Sequence, residues 1–332
     1  MSETNRQIVL ASRPSGWPEP DNFRLVEAPL PLPGDGEVLV RNLWLSLDPY
    51  MRGRMNEAKS YAAPQKLGEV MIGGTAGEVL ESRHPEFKPG DKVTGMLGWQ
   101  LYGAAGGALL RKVDDRRNPL QAYLGAVGMP GVTAWYGLNE ICRPKAGETV
   151  VVTAAAGAVG GVAGQLAKRK GCRVVGVAGG AEKCAYVVGA LGFDACIDYK
   201  AGRLRQDIRE ATPDGIDCLF ENVGGEILDL LLGRMNPFSR IALCGLVSQY
   251  NGEPYPMRNF GALLVNRVRL QGFIVSDHLQ RWPEALAELA QGVAAGEIKY
   301  RETVAQGLES APQAFIGLLR GANLGKQLVK LA

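Results

Sequence analysis

The sequence predicts an α/β protein in which a doubly wound parallel sheet follows an all-β unit. Two observations support this fold class. From about residue 129 onward, strand-like and helix-like segments alternate, an order typical of a parallel sheet covered by helices. In the first third, short strand-like runs are separated by turns, and none alternates with a long helix. Since 332 residues exceed one typical domain, we expect two domains.

The elements of the N-terminal third are short. Residues 38–43 are apolar and extended, and residues 70–79 form an apolar run with three glycines, as strands do at bends and close approaches. Residues 87–93 form a turn flanked by strand residues. These segments together predict the all-β unit.

The remaining elements follow in an alternating order. The predicted elements are a strand at 149–153, a helix at 157–170, a strand at 173–177, a helix at 181–191, a strand at 195–197, a helix at 204–211, a strand at 217–220, a helix at 226–235, strands at 240–244 and 269–275, and a helix at 283–292. From residue 298 the chain returns to short apolar pieces. We expect this tail to rejoin the first domain.

A glycine-rich turn at residues 155–160 indicates a dinucleotide site. Its spacing is A-x-G-x-x-G, with Ala155 in place of the first glycine of the usual fingerprint. Gly157 would let the backbone approach a pyrophosphate, Gly160 would let helix and strand pack closely, and the helix N-terminus would supply amide donors. A tight turn whose small residues serve packing alone is the alternative.

The residues after the next two strands favour NADP(H) over NAD. The predicted strand at 173–177 is followed by Ala178-Gly179-Gly180, with no acid to hold the ribose hydroxyls. Lys183 opens the next helix and Tyr199 follows the third strand, and a cation with a phenol suits a 2′-phosphate. Two alternatives stay open: Lys183 is an ordinary solvated residue, or Glu182 reaches the ribose instead.

Composition excludes several classes of function. The net charge of +3 without basic runs argues against a nucleic-acid partner. The cysteines are single and scattered, and the sequence has only two histidines, His84 and His278, which argues against a metal site. The scattered cysteines also argue against disulfides, which fits a protein of the reducing cytoplasm. The polar N-terminus is unlike a signal peptide, and the uncharged stretch at 149–167 is rich in Gly and Ala, so we expect no membrane association.

Motifs spread over the whole chain resemble those of the zinc-independent medium-chain dehydrogenase/reductases, in the group of NADPH-dependent alkenal and 15-oxoprostaglandin 13-reductases that includes leukotriene B4 dehydrogenase and curcumin reductase. The matching stretches lie at residues 47–52, 128–134, 154–160, 182–183, 213–215, 222–225, 244–245, 248–251 and 323–326. Zinc-dependent relatives have a Cys ligand after the strand near Leu43 and a Gly-His-Glu near Gly73, and this sequence has neither.

The resemblance implies a GroES-like domain at 1–127 and 298–332, a Rossmann domain at 128–297, and a homodimer through the Rossmann sheet edges. It implies Tyr50, of the family's Asp-Pro-Tyr-Met motif, as the polar group of the substrate pocket. Relatives place a substrate-facing tyrosine where this chain has Val265. The implied NADPH contacts are Gly157, Ala158, Val159, Gly160, Lys183, Tyr199, Asn222, Cys244, Gly245, Leu246, Val247, Ser248, Gln249, Tyr250, Phe273, Ile274, Val275 and Asn323.

The activity that the resemblance implies is reduction of the carbon–carbon double bond of a small α,β-unsaturated ketone or aldehyde. Hydride would reach the β-carbon, Tyr50 and the nicotinamide ribose hydroxyl would stabilise the enolate oxygen, and water would protonate the α-carbon. For Tyr50 the alternative is a packed aromatic that fixes the Asp48-Pro49 turn. For the whole chain the alternatives are an NADPH:quinone oxidoreductase and a non-catalytic NADP-binding protein.

Overall fold

The structure is a computed structural model that describes residues 4–252 and 254–331. The strands are β1 Thr4–Leu10, β2 Phe23–Pro29, β3 Glu37–Ser46, β4 Thr75–Ser82, β5 Lys92–Gly95, β6 Tyr102–Gly106, β7 Leu110–Lys112, β8 Thr149–Thr153, β9 Arg173–Ala178, β10 Ala195–Asp198, β11 Ile216–Glu221, β12 Met235–Leu243, β13 Arg269–Gly272, β14 Glu302–Gln306 and β15 Lys326–Lys330. The α-helices are α1 Tyr50–Arg54, α2 Met129–Tyr136, α3 Gly160–Arg169, α4 Ala181–Gly189, α5 Leu204–Ala211, α6 Gly225–Leu232, α7 Ala262–Val265, α8 Trp282–Ala294 and α9 Ala311–Leu319.

The chain divides into two compact units. The first unit is Met1–Gly125 with Glu302–Ala332, and the second unit is Ala126–Arg301. The first unit contains a mainly antiparallel sheet and the second a parallel sheet. The predicted fold class, a doubly wound parallel sheet together with a β domain, is confirmed.

The first unit is built on a sheet in the order β14-β15-β3-β4-β5-β7, with β6 also paired to β3. The C-terminal strand β15 runs antiparallel to β3, with Leu328 opposite Ser46, and this pairing joins the tail to the N-terminal third. An aromatic cluster fills the core: Phe23 stacks on Trp99 at 5.6 Å between ring centroids, and Phe315 meets Trp99 edge-on at 5.7 Å. The tail also contains α9, a helix that its short apolar pieces did not predict.

The second unit is a six-stranded parallel sheet in the order β10-β9-β8-β11-β12-β13. The central strand β8 is buried at every residue, which explains its uninterrupted run of Thr and Val. Gly164 of α3 faces the ring of Phe193, since a Cβ there would lie 1.8 Å from that ring. The absence of a side chain at Gly164 therefore allows α3 to pack directly against the ring of Phe193.

Several predicted boundaries in the second unit are wrong. The predicted helix at 157–170 begins at Gly160, and the predicted strand at 240–244 begins at Met235. The predicted helix at 226–235 ends at Leu232, and Met235 already begins β12. There Met235 pairs with Ile216 of β11, directly before the register of the two strands shifts. Strand pairing here overrides a sequence that continues the helical pattern. The predicted strand at 269–275 ends at Gly272, and Val275 begins a 3-10 turn.

Candidate functional site

The glycine turn lies between β8 and α3. Ala154 has φ +50°, and the carbonyl oxygen of Ala154 points under the first turn of α3. A Cβ at Gly160 would lie 2.4 Å from that oxygen, and one at Gly157 would lie 3.1 Å from it. Glycine is therefore required at position 160, because no side chain fits the close approach. The first turn of α3 contains no acidic residue, so its amide donors and dipole favour an anion.

The structure places the other predicted cofactor contacts of the second unit at the same edge of the sheet, where the parallel strands end. Lys183 follows β9, Tyr199 follows β10, and Asn222 follows β11, while segments 244–250 and 273–275 follow β12 and β13. Ligands of open parallel sheets bind at this carboxyl edge. Asn323 belongs to the first unit, where its Nδ2 donates to the carbonyl oxygen of Gly325 at 2.7 Å.

A positive cluster forms after β9 and β10. The ring of Tyr199 lies against Gly179, where a Cβ would be 2.7 Å from the phenol. Burial lowers the pKa of Lys183, the neighbouring Lys200 lowers it further, and Glu182 partly opposes both. Lys200, which was not among the predicted contacts, therefore lies close enough to Lys183 to repel it. A bound phosphate would relieve this repulsion, so the cluster suits a 2′-phosphate.

The loop after β11 is held by the strands beside it. The backbone N–H of Asn222 donates to Thr153 Oγ1 at 2.8 Å, and its Nδ2 donates to the Thr153 carbonyl at 2.8 Å. The side-chain Oδ1 of Asn222 is thus the atom that a ligand could meet. Ser248 Oγ donates to the carbonyl oxygen of Val223 at 2.6 Å, so the segment after β12 packs on this loop.

Phe273 was predicted as a cofactor contact, but its ring is part of the protein core. The ring is buried and lies 5.6 Å from that of Tyr136 and 6.4 Å from that of Phe220. Its main chain follows β13 and is the part of this residue that lies at the carboxyl edge.

Sequence reasoning missed Glu221, the last residue of β11. The carboxyl group is completely buried, and its Oε1 accepts hydrogen bonds from the backbone N–H groups of Val223 and Gly224, both at 2.6 Å. Burial raises the pKa of Glu221 to about 7, although these two amides and Thr153 act to lower it. A strand-terminal acid before Asn-Val-Gly-Gly gives no sequence signal of this burial. Glu221 anchors the loop that presents Asn222.

We expect Glu221→Gln to change how stability depends on pH. Because the pKa of Glu221 is raised to about 7 in the folded chain, the folded state binds more protons than the unfolded state between about pH 4.5 and pH 7. The free energy of unfolding of the wild type should therefore fall by about 1–3 kcal/mol relative to that of the variant as the pH rises through this window. Urea unfolding of both proteins at about pH 5 and about pH 8 measures this difference. An equal difference at both pH values would contradict it.

Tyr50 opens α1 in the first unit, directly after a buried ion pair. Lys326 Nζ donates to Asp48 Oδ1 at 2.8 Å, and Ser46 Oγ donates to Asp48 Oδ2. Burial raises the pKa of Tyr50, Asp48 and Tyr61 raise it further, and Arg54 opposes them. The phenol therefore keeps its proton at neutral pH and can act as a hydrogen-bond donor. Val265, at the position of the relatives' tyrosine, is 68% exposed and lies in α7.

The chain matches two known families. Residues 6–113 match the N-terminal domain of oxidoreductase, and residues 158–291 match the family described as zinc-binding dehydrogenase. Residues 4–252 and 254–331 contain no group of three or more His, Cys, Asp or Glu side chains that could hold a metal ion. Over the same described residues, no helix has the length and apolar character needed to cross a membrane.

Individual relatives match over nearly the full chain. The NADPH-dependent curcumin reductase of Escherichia coli (strain K12) is 49% identical over 99% of this chain and 98% of that protein. The 2-alkenal reductase (NADP(+)-dependent) of Nicotiana tabacum is 43% identical over 99% of this chain and 98% of that protein. The crystal structure of CurA in complex with NADPH from Vibrio vulnificus superposes with a TM-score of 0.94 at 47% identity, covering 98% of this chain and 99% of that one. The chain therefore belongs to the zinc-independent medium-chain dehydrogenase/reductases, in the group of the curcumin and 2-alkenal reductases.

Proposed function

We propose that this protein uses NADPH to reduce the carbon–carbon double bond of α,β-unsaturated ketones and aldehydes. The observation that supports this function most directly is its full-length similarity, at 49% and 43% identity, to a curcumin reductase and a 2-alkenal reductase that both use NADP(H). The residues of the second unit fit this cofactor. Gly160 leaves the turn before α3 open to a pyrophosphate, and Lys183 with Lys200 suits the 2′-phosphate.

The chain's own contribution to the reaction is positioning and hydrogen-bond donation. Bound NADPH supplies the hydride, which adds to the β-carbon of the substrate. Tyr50 donates its phenolic proton in a hydrogen bond to the carbonyl oxygen of the substrate, where negative charge develops. Its raised pKa keeps it protonated, so it stabilises the enolate without giving up its proton. A water molecule then protonates the α-carbon.

The two units divide these tasks in our proposal. The first unit corresponds to a GroES-like substrate domain at 1–127 and 298–332, which contains Tyr50. The second unit corresponds to a Rossmann domain at 128–297, which contains all proposed NADPH contacts except Asn323. The contact residues are those implied by the resemblance, with Lys200 added.

The proposed function is tested by measuring NADPH oxidation, monitored through the absorbance of NADPH, in three parallel reactions. One contains a medium-chain enone, one a quinone, and one no acceptor. We expect fast oxidation with the enone, and product analysis should find the saturated ketone. Fast turnover of the quinone without turnover of the enone would assign the chain to the quinone reductases instead. Tight NADPH binding without turnover of any acceptor would indicate a non-catalytic protein.

Lys183→Ala should shift the cofactor preference away from NADPH. A charge-assisted hydrogen bond is worth about 1.5–3 kcal/mol, so the Kd for NADPH should rise ~10–150-fold. The Kd for NADH, which lacks the 2′-phosphate, should change by less than about threefold. Fluorescence titration with both cofactors measures the two constants. The matched control is Lys170→Ala, which lies directly after α3, at the end of that helix away from the glycine turn, and should change neither constant. Equal losses of affinity for both cofactors in Lys183→Ala would contradict the assignment.

We also propose that the protein is a cytoplasmic homodimer. All four residues of β13 are exposed, and within the described residues this strand is paired on one side only. The segment before it exposes Leu264 and Val265, and an unpaired edge beside exposed apolar side chains is typical of an interface. Light scattering should find twice the mass of one chain. All six cysteines are free, which suits a reducing compartment.

A further inference from the structure

Glu221 is a buried titratable group in the middle of the carboxyl edge of the parallel sheet. It ends β11, which lies between β8 and β12. Its carboxyl group is completely buried, and its Oε2 has no hydrogen-bond partner within residues 4–252 and 254–331. Over the same described residues, no basic side chain acts on the pKa of this carboxyl group. No opposite charge therefore offsets the cost of burying a carboxylate here.

Hydrogen bonds connect Glu221 to two of the segments that hold proposed NADPH contacts. Its Oε1 accepts the backbone N–H groups of Val223 and Gly224, both at 2.6 Å, in the loop after β11. Its main-chain carbonyl oxygen accepts the N–H groups of Cys244 at 2.8 Å and Gly245 at 3.2 Å, in the segment after β12. The position of this one residue therefore sets the positions of both segments.

A third segment lies on the other side of β11. The hydroxyl of Thr153, which ends β8 directly before the glycine turn, is close enough to the Glu221 carboxyl group to lower its pKa. Thr153 also binds the next residue of the chain, because its Oγ1 and its carbonyl oxygen both accept hydrogen bonds from Asn222 at 2.8 Å. The carboxyl group of Glu221 thus lies where the ends of three neighbouring strands meet.

Glu221 is the group at this junction that changes its charge near neutral pH. Burial raises its pKa to about 7, against the effect of the two amides and the Thr153 hydroxyl. On the side of β12 the titratable group is Cys244, and burial together with Glu221 raises the pKa of its thiol to about 12, so that it stays neutral. On the side of α6 the nearest acid in the chain, Glu226, is exposed to solvent.

The cofactor would bring negative charge to the same edge. NADPH has an anionic pyrophosphate, which the glycine turn directly after Thr153 is proposed to bind, and a 2′-phosphate. A bound cofactor also covers the strand ends and excludes water from them. Both effects disfavour a second negative charge beneath the loop, so they favour the neutral form of Glu221. A ligand that favours the protonated form of a group binds with uptake of a proton.

We propose that Glu221 is a positioning residue whose neutral form supports the cofactor segments, so that NADPH binds with uptake of a proton from solvent onto this carboxyl group. The inference rests on the proposed NADPH contacts after β8, β11 and β12. In the neutral form Oε1 still accepts the two loop amides, whereas the ionised form places an unpaired buried charge beneath an anionic ligand. Affinity for the cofactor is therefore highest where Glu221 is neutral and falls as the pH rises above about 7.

Calorimetric titration with NADPH at about pH 8, in two buffers of different ionisation enthalpy, measures the protons taken up per cofactor bound. We expect about half a proton or more for the wild type and far less for Glu221→Gln, whose side chain is neutral and keeps the Oε1 acceptor. Between about pH 6 and about pH 8.5, the Kd of the wild type should rise about tenfold more than that of the variant. The difference should persist with NADH, which has no 2′-phosphate to titrate.

Asp229→Asn is the matched control. Asp229 of α6 is also buried, and its Oδ1 accepts the backbone N–H groups of Arg258 and Asn259 at 2.8 Å and 2.7 Å. This variant therefore neutralises another carboxyl group that anchors a loop, and its proton uptake on binding NADPH should equal that of the wild type. A fall in proton uptake in Asp229→Asn as large as that in Glu221→Gln would overturn the assignment to Glu221.

Equal proton uptake by the wild type and Glu221→Gln would also overturn the inference. The proposed reductase activity would survive that result, because the enone assay measures it separately, whereas a wild type that does not bind NADPH would overturn both. Should Glu221→Gln not fold, the wild type with NADH gives the answer. Proton uptake that grows from about pH 6 to about pH 8, with a midpoint near pH 7, would support the inference, and no uptake over this range would overturn it.

Discussion

Replacing Tyr50 by Phe should lower enone turnover by about 10²–10³-fold, the usual cost of removing one donor to a developing oxyanion. The substitution removes one hydroxyl and keeps the ring that packs against the core of the first unit. NADPH affinity should stay within about twofold, since the proposed role concerns only the substrate oxygen. Steady-state kinetics with a medium-chain enone should therefore show the loss mainly in kcat, because the hydrogen bond strengthens as charge develops.

Tyr123→Phe is the matched control for this prediction. The Tyr123 hydroxyl donates to the carbonyl oxygen of Asp114 at 2.7 Å in the same unit, so its removal should cost about 1 kcal/mol of stability. Enone turnover should be unchanged in that variant. A loss of less than about tenfold in Tyr50→Phe would contradict the donor role. Tyr50 would then be a packed aromatic that fixes the turn after Asp48.

Gly160→Ala should strongly weaken NADPH binding. The added Cβ would lie 2.4 Å from the carbonyl oxygen of Ala154, so the turn and the first residues of α3 must move apart. Overpacking of this kind costs about 1–3 kcal/mol of stability. It also displaces the amides that would bind the pyrophosphate, so we expect the Kd for NADPH to rise at least ~100-fold, since each 1.4 kcal/mol is tenfold. Fluorescence titration and urea unfolding measure the two effects.

The control for Gly160→Ala is Gly189→Ala in α4. No atom lies within 4 Å of a Cβ at position 189, so alanine should stabilise the helix by about 0.5–1 kcal/mol and leave NADPH binding unchanged. Wild-type affinity in Gly160→Ala would show that the turn is not the pyrophosphate site. If that variant does not fold, Gly157→Ala, whose Cβ would lie 3.1 Å from the same oxygen, is the milder test and should weaken binding by a smaller factor.

Local patterns predicted most of the strands and helices of the second unit, although α2 and α7 were not among the predicted helices. The predicted strand at 149–153 and the predicted helix at 204–211 have the same bounds as β8 and α5. Both patterns are local, because a buried parallel strand needs a continuous β-branched run and a surface helix needs a one-sided apolar stripe. The start of β12 at Met235 was not predictable in this way, since only pairing with Ile216 makes that residue extended.

The candidate site was predictable in part for the same reason. The glycine turn, Lys183 and Tyr199 follow strands, and parallel strands end at one edge of a sheet. Glu221 and the pair Asp48–Lys326 were not predictable. The two residues of that pair are separated by 278 positions, and no local pattern indicates that two such charges become buried together.

The sequence by itself determined the fold class, the NADP(H) preference and the family, because each depends on residue types at fixed spacings along the chain. Only the tertiary structure decided which polar groups are buried and what they contact. It placed Lys200 beside Lys183 and buried Glu221 under the loop of Asn222. These arrangements depend on long-range pairing and packing, since burial and close approach, rather than residue type, set the charge state and the available donors of a side chain.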